Sequence, residues 1–205
     1  RRTVLAETSF SILPGQSIGI CGLNGAGKTT LLRLIAGVEK PSSGTIERGM
    51  RVSWPIGYAS SFQSSLTGAD NVRFIARIYR RPVGGVLAFV EDFAELGDYL
   101  FMPIRTYSAG MLARLAFAAS LAVDFDCYLI DEVIAAGDER FRARCHAALA
   151  ERRRKASLVL VSHEAQTLRD YCDRGAVLAN GRLDFYDHIE EAIAHHFSRR
   201  EAKVA

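Results

Sequence analysis

Apolar and polar positions change their period along this chain, and each change marks an element. Thr3 to Leu13 alternates as a strand does, and Pro14-Gly15 then supplies the fixed φ and the positive φ of a type II turn. Gln16 to Cys21 reads as the returning strand. Lys28 to Ala36 switches to helical spacing and stops at Gly37, a residue suited to a helix C-cap. Cys127 to Ile130 and Ser157 to Val161 are short apolar runs bounded by polar residues, the pattern of parallel strands covered on both faces. Helical stretches over Ser108–Val123, Glu139–Arg154 and Glu164–Cys172 separate them. A strand pair is expected around Val177 and Leu183, followed by a last helix from Ile189 to Arg200. This alternation predicts an α/β fold with a mainly parallel sheet and an N-terminal antiparallel β portion. Gly68 to Arg80 and Val86 to Leu96 read as two helices with no strand between them, so residues 62–105 are expected to form a helical subdomain inserted in a single domain spanning 1–205.

Composition narrows the class. The chain has 205 residues, 49% of them hydrophobic, enough for one core that buries roughly 70% of the unfolded surface. A net charge of +3 from 26 basic and 23 acidic residues is too mild to indicate nucleic acid. The longest nearly apolar stretch, Leu115 to Val123, has nine residues, against the roughly twenty of a spanning helix. With no basic and apolar leader at the start either, the expected location is cytosolic. The opening Arg1-Arg2 lacks an initiator Met, so the natural chain is expected to begin earlier. Cys21, Cys127, Cys145 and Cys172 lie far apart without a Cys-x-x-Cys pair and read as reduced core thiols. Arg152-Arg153-Arg154-Lys155 reads as a solvated helix end, and His195-His196 has no acidic or cysteine partner at metal spacing.

The first chemistry lies between the second strand and the first helix. Gly22, Leu23, Asn24, Gly25, Ala26, Gly27, Lys28 and Thr29 match the Gly-x-x-x-x-Gly-Lys-[Ser/Thr] pattern in full, with Thr30 continuing into the helix. Glycines let backbone N–H groups turn inward around phosphates, and the helix adds its N-terminal dipole. Lys28 is expected to reach the β- and γ-phosphates of ATP, and the Thr29 hydroxyl to ligate Mg²⁺. Tyr128-Leu129-Ile130-Asp131-Glu132 is an apolar strand ending in two carboxylates at the sheet edge where ligands bind in open α/β folds. Asp131 is placed to hold Mg²⁺, and Glu132 to polarise the attacking water as general base. The run Leu158 to Val161 ends in Ser162-His163 at the same edge, where His163 can donate to the γ-phosphate and hold Glu132 in place.

Tyr107-Ser108-Ala109-Gly110-Met111 opens a long helix, with Ser108 standing 23 residues before Asp131. It resembles the signature segment of ABC-transporter ATPases, usually Leu-Ser-Gly-Gly-Gln, with Ala109 and Met111 as departures. Ser108 suits an N-cap and Gly110 permits close approach to a phosphate. The resemblance implies that Ser108 and Gly110 face the γ-phosphate held by a second chain, so that a homodimer sandwiches two ATP molecules. Asp138, after Ala135-Ala136-Gly137, falls at the family's D-loop and also suits a helix cap. Gln63 is the candidate for the Q-loop glutamine that meets the metal, about two residues later than the usual spacing. The aromatic that stacks on adenine in the family falls upstream of this sequence. Trp54, Tyr58 and Phe62 read either as a groove for a transporter's coupling helix or as core.

Within that family, Ser53-Trp54-Pro55-Ile56-Gly57, Ser64-Ser65-Leu66-Thr67-Gly68 and Met102-Pro103-Ile104-Arg105-Thr106-Tyr107-Ser108 resemble the ATPases of capsular-polysaccharide exporters. This implies an ATP-hydrolysing subunit, peripheral on the cytoplasmic face of the inner membrane. It would meet the membrane only through a permease partner and would not bind nucleic acid. O-antigen and teichoic-acid export ATPases share part of this wording but often carry an added C-terminal domain, and the short tail here favours the capsule type. A soluble ABC ATPase acting on nucleic acid or the ribosome would show two cassettes or long coiled-coil insertions. A binding-only regulator would need neither Glu132 nor His163.

Overall fold

The computed structural model describes residues 3–57, 62–131 and 138–201. They divide between two compact units, one drawn from Arg1–Pro55, Phe125–Glu132 and Ala150–Ala205 and the other from Ile56–Asp124 and Val133–Leu149. The expected insertion, 62–105, lies inside the second.

The first unit is built on a six-stranded sheet: β1 (Ser17–Cys21), β2 (Val52–Ile56), β3 (Cys127–Asp131), β4 (Ser157–Val161), β5 (Arg174–Ala179) and β6 (Arg182–Tyr186), in the order β2-β3-β4-β1-β5-β6. β1 lies parallel to β4 on one side and to β5 on the other, and β3 is parallel to β4. β5 and β6 pair antiparallel. Asn180 and Gly181 join them with φ of 52° and 79°, the left-handed pair that a two-residue type I′ hairpin turn needs. Alternate residues of the central strands face different layers. Ile18, Ile20, Leu129, Val159 and Leu178 form one cluster with Leu31 and Leu32 of helix α1 (Lys28–Ala36). On the other face a Cβ at Gly19 would meet Leu168 of α6 (Ala165–Tyr171) and Ile189 of α7 (Ile189–Glu201), and one at Gly175 would meet Ala192 of α7 at 2.3 Å. These glycines let α6 and α7 lie directly on the sheet. Leu32 is fully buried, and its truncation to alanine in such a core costs about 2–5 kcal/mol.

The expected strand at Thr3–Leu13 does not form. Leu5, Phe10 and Ile12 still pack on the core, and Phe10 meets Phe185 with ring centroids 5.1 Å apart. The alternation therefore records burial without a ladder. The turn after it does form: Gly15 has φ 82° and Gln16 donates to the Leu13 carbonyl at 3.1 Å. β2 went unpredicted because Pro55 and a run of small and bulky residues hide its period. Its place at the sheet edge is where a proline is tolerated.

The second unit is helical: α2 (Gly68–Ile78), α3 (Val83–Ala94), two 3₁₀ turns at Gly97–Phe101 and Ile104–Thr106, α4 (Ala109–Leu121), and the part of α5 (Glu139–Arg153) up to Leu149. Thr67 caps α2, accepting from the Asp70 N–H at 3.0 Å. Val72, Ile75 and Ala76 of α2 and Val86, Val90 and Phe93 of α3 are buried. Phe93 stacks on Phe117 of α4 at 6.1 Å and meets Phe141 of α5 edge-on at 5.8 Å. No helix among the described residues is long and apolar enough to cross a membrane.

All four cysteines are buried and free. Burial pushes the thiol of Cys21 up to about 11, against the pull of Lys28, and those of Cys127 and Cys145 up to about 12.

Candidate functional site

The phosphate loop occupies the turn between β1 and α1. Gly25 and Gly27 have φ of 76° and 105°, a region that side chains other than glycine rarely enter. Gly22 is required for a different reason: a Cβ there would stand 2.7 Å from the Leu178 carbonyl of β5. The Lys28 side chain folds back over the loop, and its Nζ donates to the carbonyls of Gly22 at 2.8 Å and Leu23 at 3.2 Å. Lys28 is only 7% exposed, so a buried cation is held beside glycine N–H groups. The first turn of α1 contains no acidic residue, which leaves its positive end open to an anion. Thr29 is exposed and Thr30 half-buried.

Loop and helix form one wall of a cleft of about 1060 Å³. Asp131, half-buried at the end of β3, lies on this cleft, as do Thr3, Val4, the end of β5, the Asn180-Gly181 turn and His196. The cleft thus joins a phosphate-sized cradle, a buried lysine, a threonine hydroxyl and a carboxylate. A strongly anionic ligand with a hard divalent cation fits that donor set. Asp131 pairs in register with Val161, so His163, two residues past Val161, leaves the same sheet edge from the neighbouring strand. His163 is exposed, and the Glu164 N–H beside it bonds the Ser162 hydroxyl at 3.0 Å. Glu132 and the segment Ala135-Ala136-Gly137 lie outside the described residues, as does Tyr58.

The helical unit carries the remaining candidates. Ser108 caps α4 as expected, its hydroxyl accepting from the Met111 N–H at 3.2 Å. A Cβ on Gly110 would meet nothing nearer than the Ser108 hydroxyl at 3.9 Å, so this helix start is open to a large ligand. Asp138 caps α5 through the Phe141 N–H at 2.8 Å and stands 3.7 Å from Arg114. Gln63 is fixed by its backbone: its N–H donates to the Asn71 side chain at 2.8 Å and its carbonyl accepts from Asn71 at 3.1 Å. Its side chain is exposed and reaches the Ser65 hydroxyl at 3.4 Å.

The other residues singled out in the sequence have the following surroundings. Trp54 packs edge-on against Phe125 at 5.4 Å, and Phe62 is half-buried. In the basic run, Arg153 pairs with Asp173 at 2.5 Å and Lys155 with Glu151 at 3.2 Å. His195 bonds Tyr186, whereas His196 is 8% exposed and lines the cleft. Sequence reasoning treated the two histidines alike and missed this difference. Helical spacing sends adjacent residues about 100° apart, the one signal that would have separated them.

A mainly parallel sheet with a phosphate loop after one of its central strands defines a nucleotide-binding protein of the P-loop class. Residues 5–135 match the ABC transporter family, and the chain belongs to that family as an ATP-binding subunit. Its relatives include the ATP-binding protein BexA of Haemophilus influenzae, 52% identical over 93% of this chain and 88% of the relative. The capsule polysaccharide export ATP-binding protein CtrD of Neisseria meningitidis is 52% identical over 96% and 91%. The polysialic acid transport ATP-binding protein KpsT of Escherichia coli is 48% identical over 95% and 90%. Among solved structures, an ATP-binding subunit of an ABC transporter superposes with a TM-score of 0.80 at 22% identity, covering 95% of this chain and 93% of that one. A dimeric post-hydrolysis ATP-binding cassette bound to ADP and Pi gives 0.76 at 20% identity, covering 91% and 90%. At those identities the agreement concerns the fold.

Proposed function

We propose that this chain hydrolyses ATP to energise export of capsular polysaccharide, working as a homodimer on the cytoplasmic face of the inner membrane and attached there by a permease. The observation that carries the reading is 52% identity, over nearly the whole chain, to a protein named for capsule polysaccharide export. The buried lysine and open glycine loop support it.

In this reading the loop N–H groups and Lys28 bind the β- and γ-phosphates, and the Lys28 ammonium exchanges its two carbonyl partners for phosphate oxygens. Residues Gly22 to Thr30 form the cradle. Thr29 and Asp131 would hold Mg²⁺, with Gln63 as a further ligand. When bound, that ion would supply neutralisation of the phosphate charge. Glu132 takes a proton from the attacking water, and His163 donates to the γ-phosphate while orienting Glu132. Ser108 and Gly110 of a second copy face the same phosphate, and Asp138 closes the arrangement. ATP draws the two copies together, and hydrolysis releases them.

Glu132→Gln keeps shape but loses basicity, so hydrolysis should fall about 10²-fold or more while ATP binding persists. Steady-state turnover at the parent rate would show that another group positions the water. Export is tested separately, by co-purifying the chain with its permease and following ATP-dependent transport of lipid-linked capsular polysaccharide in vesicles. Transport of O-antigen or teichoic acid in its place would reassign the cargo, and failure to associate with any permease would overturn the transport reading.

A further inference from the structure

The geometry points to His196 as a residue that contacts the nucleoside half of the bound nucleotide. This rests on the nucleotide-binding reading above and extends it to a helix that carries none of the family motifs read from the sequence. α7 starts where the Ile189 N–H donates to the Asp173 carbonyl at 3.0 Å, just before β5, and it passes Gly175 at Ala192. It therefore climbs along β5 from the start of the strand toward its end. Two turns up from Ile189, His196 emerges into the cleft beside the phosphate loop. His196 as a residue is 8% exposed, so it forms part of a wall and does not wave in solvent.

The strand order says which part of a ligand would meet that wall. The loop follows β1. Asp131 lies on the β3 side of it, while the end of β5 and the Asn180-Gly181 turn lie on the opposite side. β3 and β5 are three strand spacings apart, about 14 Å. A triphosphate gripped at its centre by Lys28, with its terminal phosphate and metal drawn to Asp131, must send its nucleoside toward the β5 flank. His196 and Asn180 stand there. Imidazole carries hydrogen-bonding nitrogens and a flat face, and here the ring also meets Phe197 with centroids 5.6 Å apart. A group of this chemistry in the cleft wall suits a ribose or a base and is not needed by a phosphate already held by backbone N–H groups.

Tripolyphosphate separates these roles because it carries the phosphates without the nucleoside. Calorimetric titration of the full chain with Mg·ATP and with Mg·tripolyphosphate should show His196→Ala losing about tenfold in ATP affinity, the effect of one lost buried contact. Tripolyphosphate affinity should stay within about twofold. His196→Gln, which keeps a hydrogen-bonding group in a similar volume, should recover part of the ATP affinity. Lys28→Ala should weaken both ligands. Equal losses for the two ligands in both His196 variants, or unchanged ATP affinity in both, would overturn the assignment. An unmodified chain that binds tripolyphosphate but shows no preference for ATP would also overturn it. Failure of the unmodified chain to bind either ligand would strike at the nucleotide reading itself.

Discussion

In the sheet unit, the residues that matter most are shaped by backbone. Lys28 bonds two carbonyls of its own loop, Gly22 is held to glycine by the Leu178 carbonyl, and two loop glycines sit at positive φ. In the helical unit the corresponding work falls to side chains distant in sequence. Glu95, at φ 50° at the end of α3, receives Arg114 at 3.0 Å, Arg144 at 3.1 Å and Arg140 at 3.2 Å. Arg114 also donates to the Ala94 carbonyl at 2.8 Å and lies over the Phe141 ring at 4.8 Å, as Arg144 lies over Phe93. The first arrangement holds a cation where a ligand can take over its bonds. The second satisfies its cations internally and ties three helices together. A binding site and a brace can use the same residue types, and what distinguishes them is whether the partners are exchangeable.

The largest effect should come from breaking the exchangeable side. Lys28→Ala removes the cation and leaves the glycine backbone in place, so ATP affinity should fall roughly a hundredfold. Unfolding free energy should change by no more than about 1 kcal/mol, because only two loop carbonyls lose a donor. Titration calorimetry and urea unfolding read the two quantities. A loss of stability comparable to the loss of affinity would mean that Lys28 is itself a brace.

The opposite signature is expected of Arg114→Met, which keeps the aliphatic stem over Phe141 but removes the guanidinium. Arg114 is 18% exposed at its side chain. Losing a partly buried charged donor to a carbonyl and a carboxylate should lower stability by about 1–3 kcal/mol. Metal-free tripolyphosphate binding to a single copy, which draws on the loop and Lys28 of the sheet unit, should stay within about twofold. If affinity drops as well, the two functions are less separable than the comparison holds.

The same contrast explains what could be read from the sequence. The phosphate loop is eight consecutive residues between a strand and a helix, and Lys28–Ala36 and Ser157–Val161 form where their spacing places them. The Ser108 cap was legible for the same local reason. The Glu95 brace was not, because Glu95 and Arg114 lie nineteen residues apart and meet only through helix packing. Nor was His196, which approaches the loop from a helix at the far end of the chain. α3 begins at Val83, three residues before the Val86 its apolar pattern suggested, because Gly84 and Gly85 carry no apolar side chain to extend that pattern yet occupy its first turn. Thr3–Leu13 misled in the other direction: its alternation buries side chains without pairing a strand. Packing decided these cases, and packing leaves no local period.

The smallest effect concerns a surface pair that braces the sheet unit at its edge. Asp126, just before β3, accepts from the Arg51 guanidinium at 2.8 and 3.1 Å and from the Arg51 N–H at 2.9 Å. These bonds, the side-chain ones foremost, hold its carboxyl down from the ordinary 3.8 to about 2. A carboxylate depressed in the folded state binds its proton more readily in the unfolded one. Its contribution is therefore complete above the ordinary value and disappears as pH falls from about 4 through about 2. The side chains of Arg51 and Asp126 are 64% and 44% exposed, so solvent screening limits the contribution to no more than about 1 kcal/mol. Asp126→Asn should thus be less stable than the parent by that amount at pH 6, and the difference should shrink toward zero near pH 2. Urea unfolding across that range, in low salt and again in about 1 M salt where the Debye length is near 3 Å, measures it. A difference that stays constant with pH would show that Asp126 acts through shape and not charge. One that survives high salt undiminished would show that the pair acts through its hydrogen-bond geometry and not through screened charge.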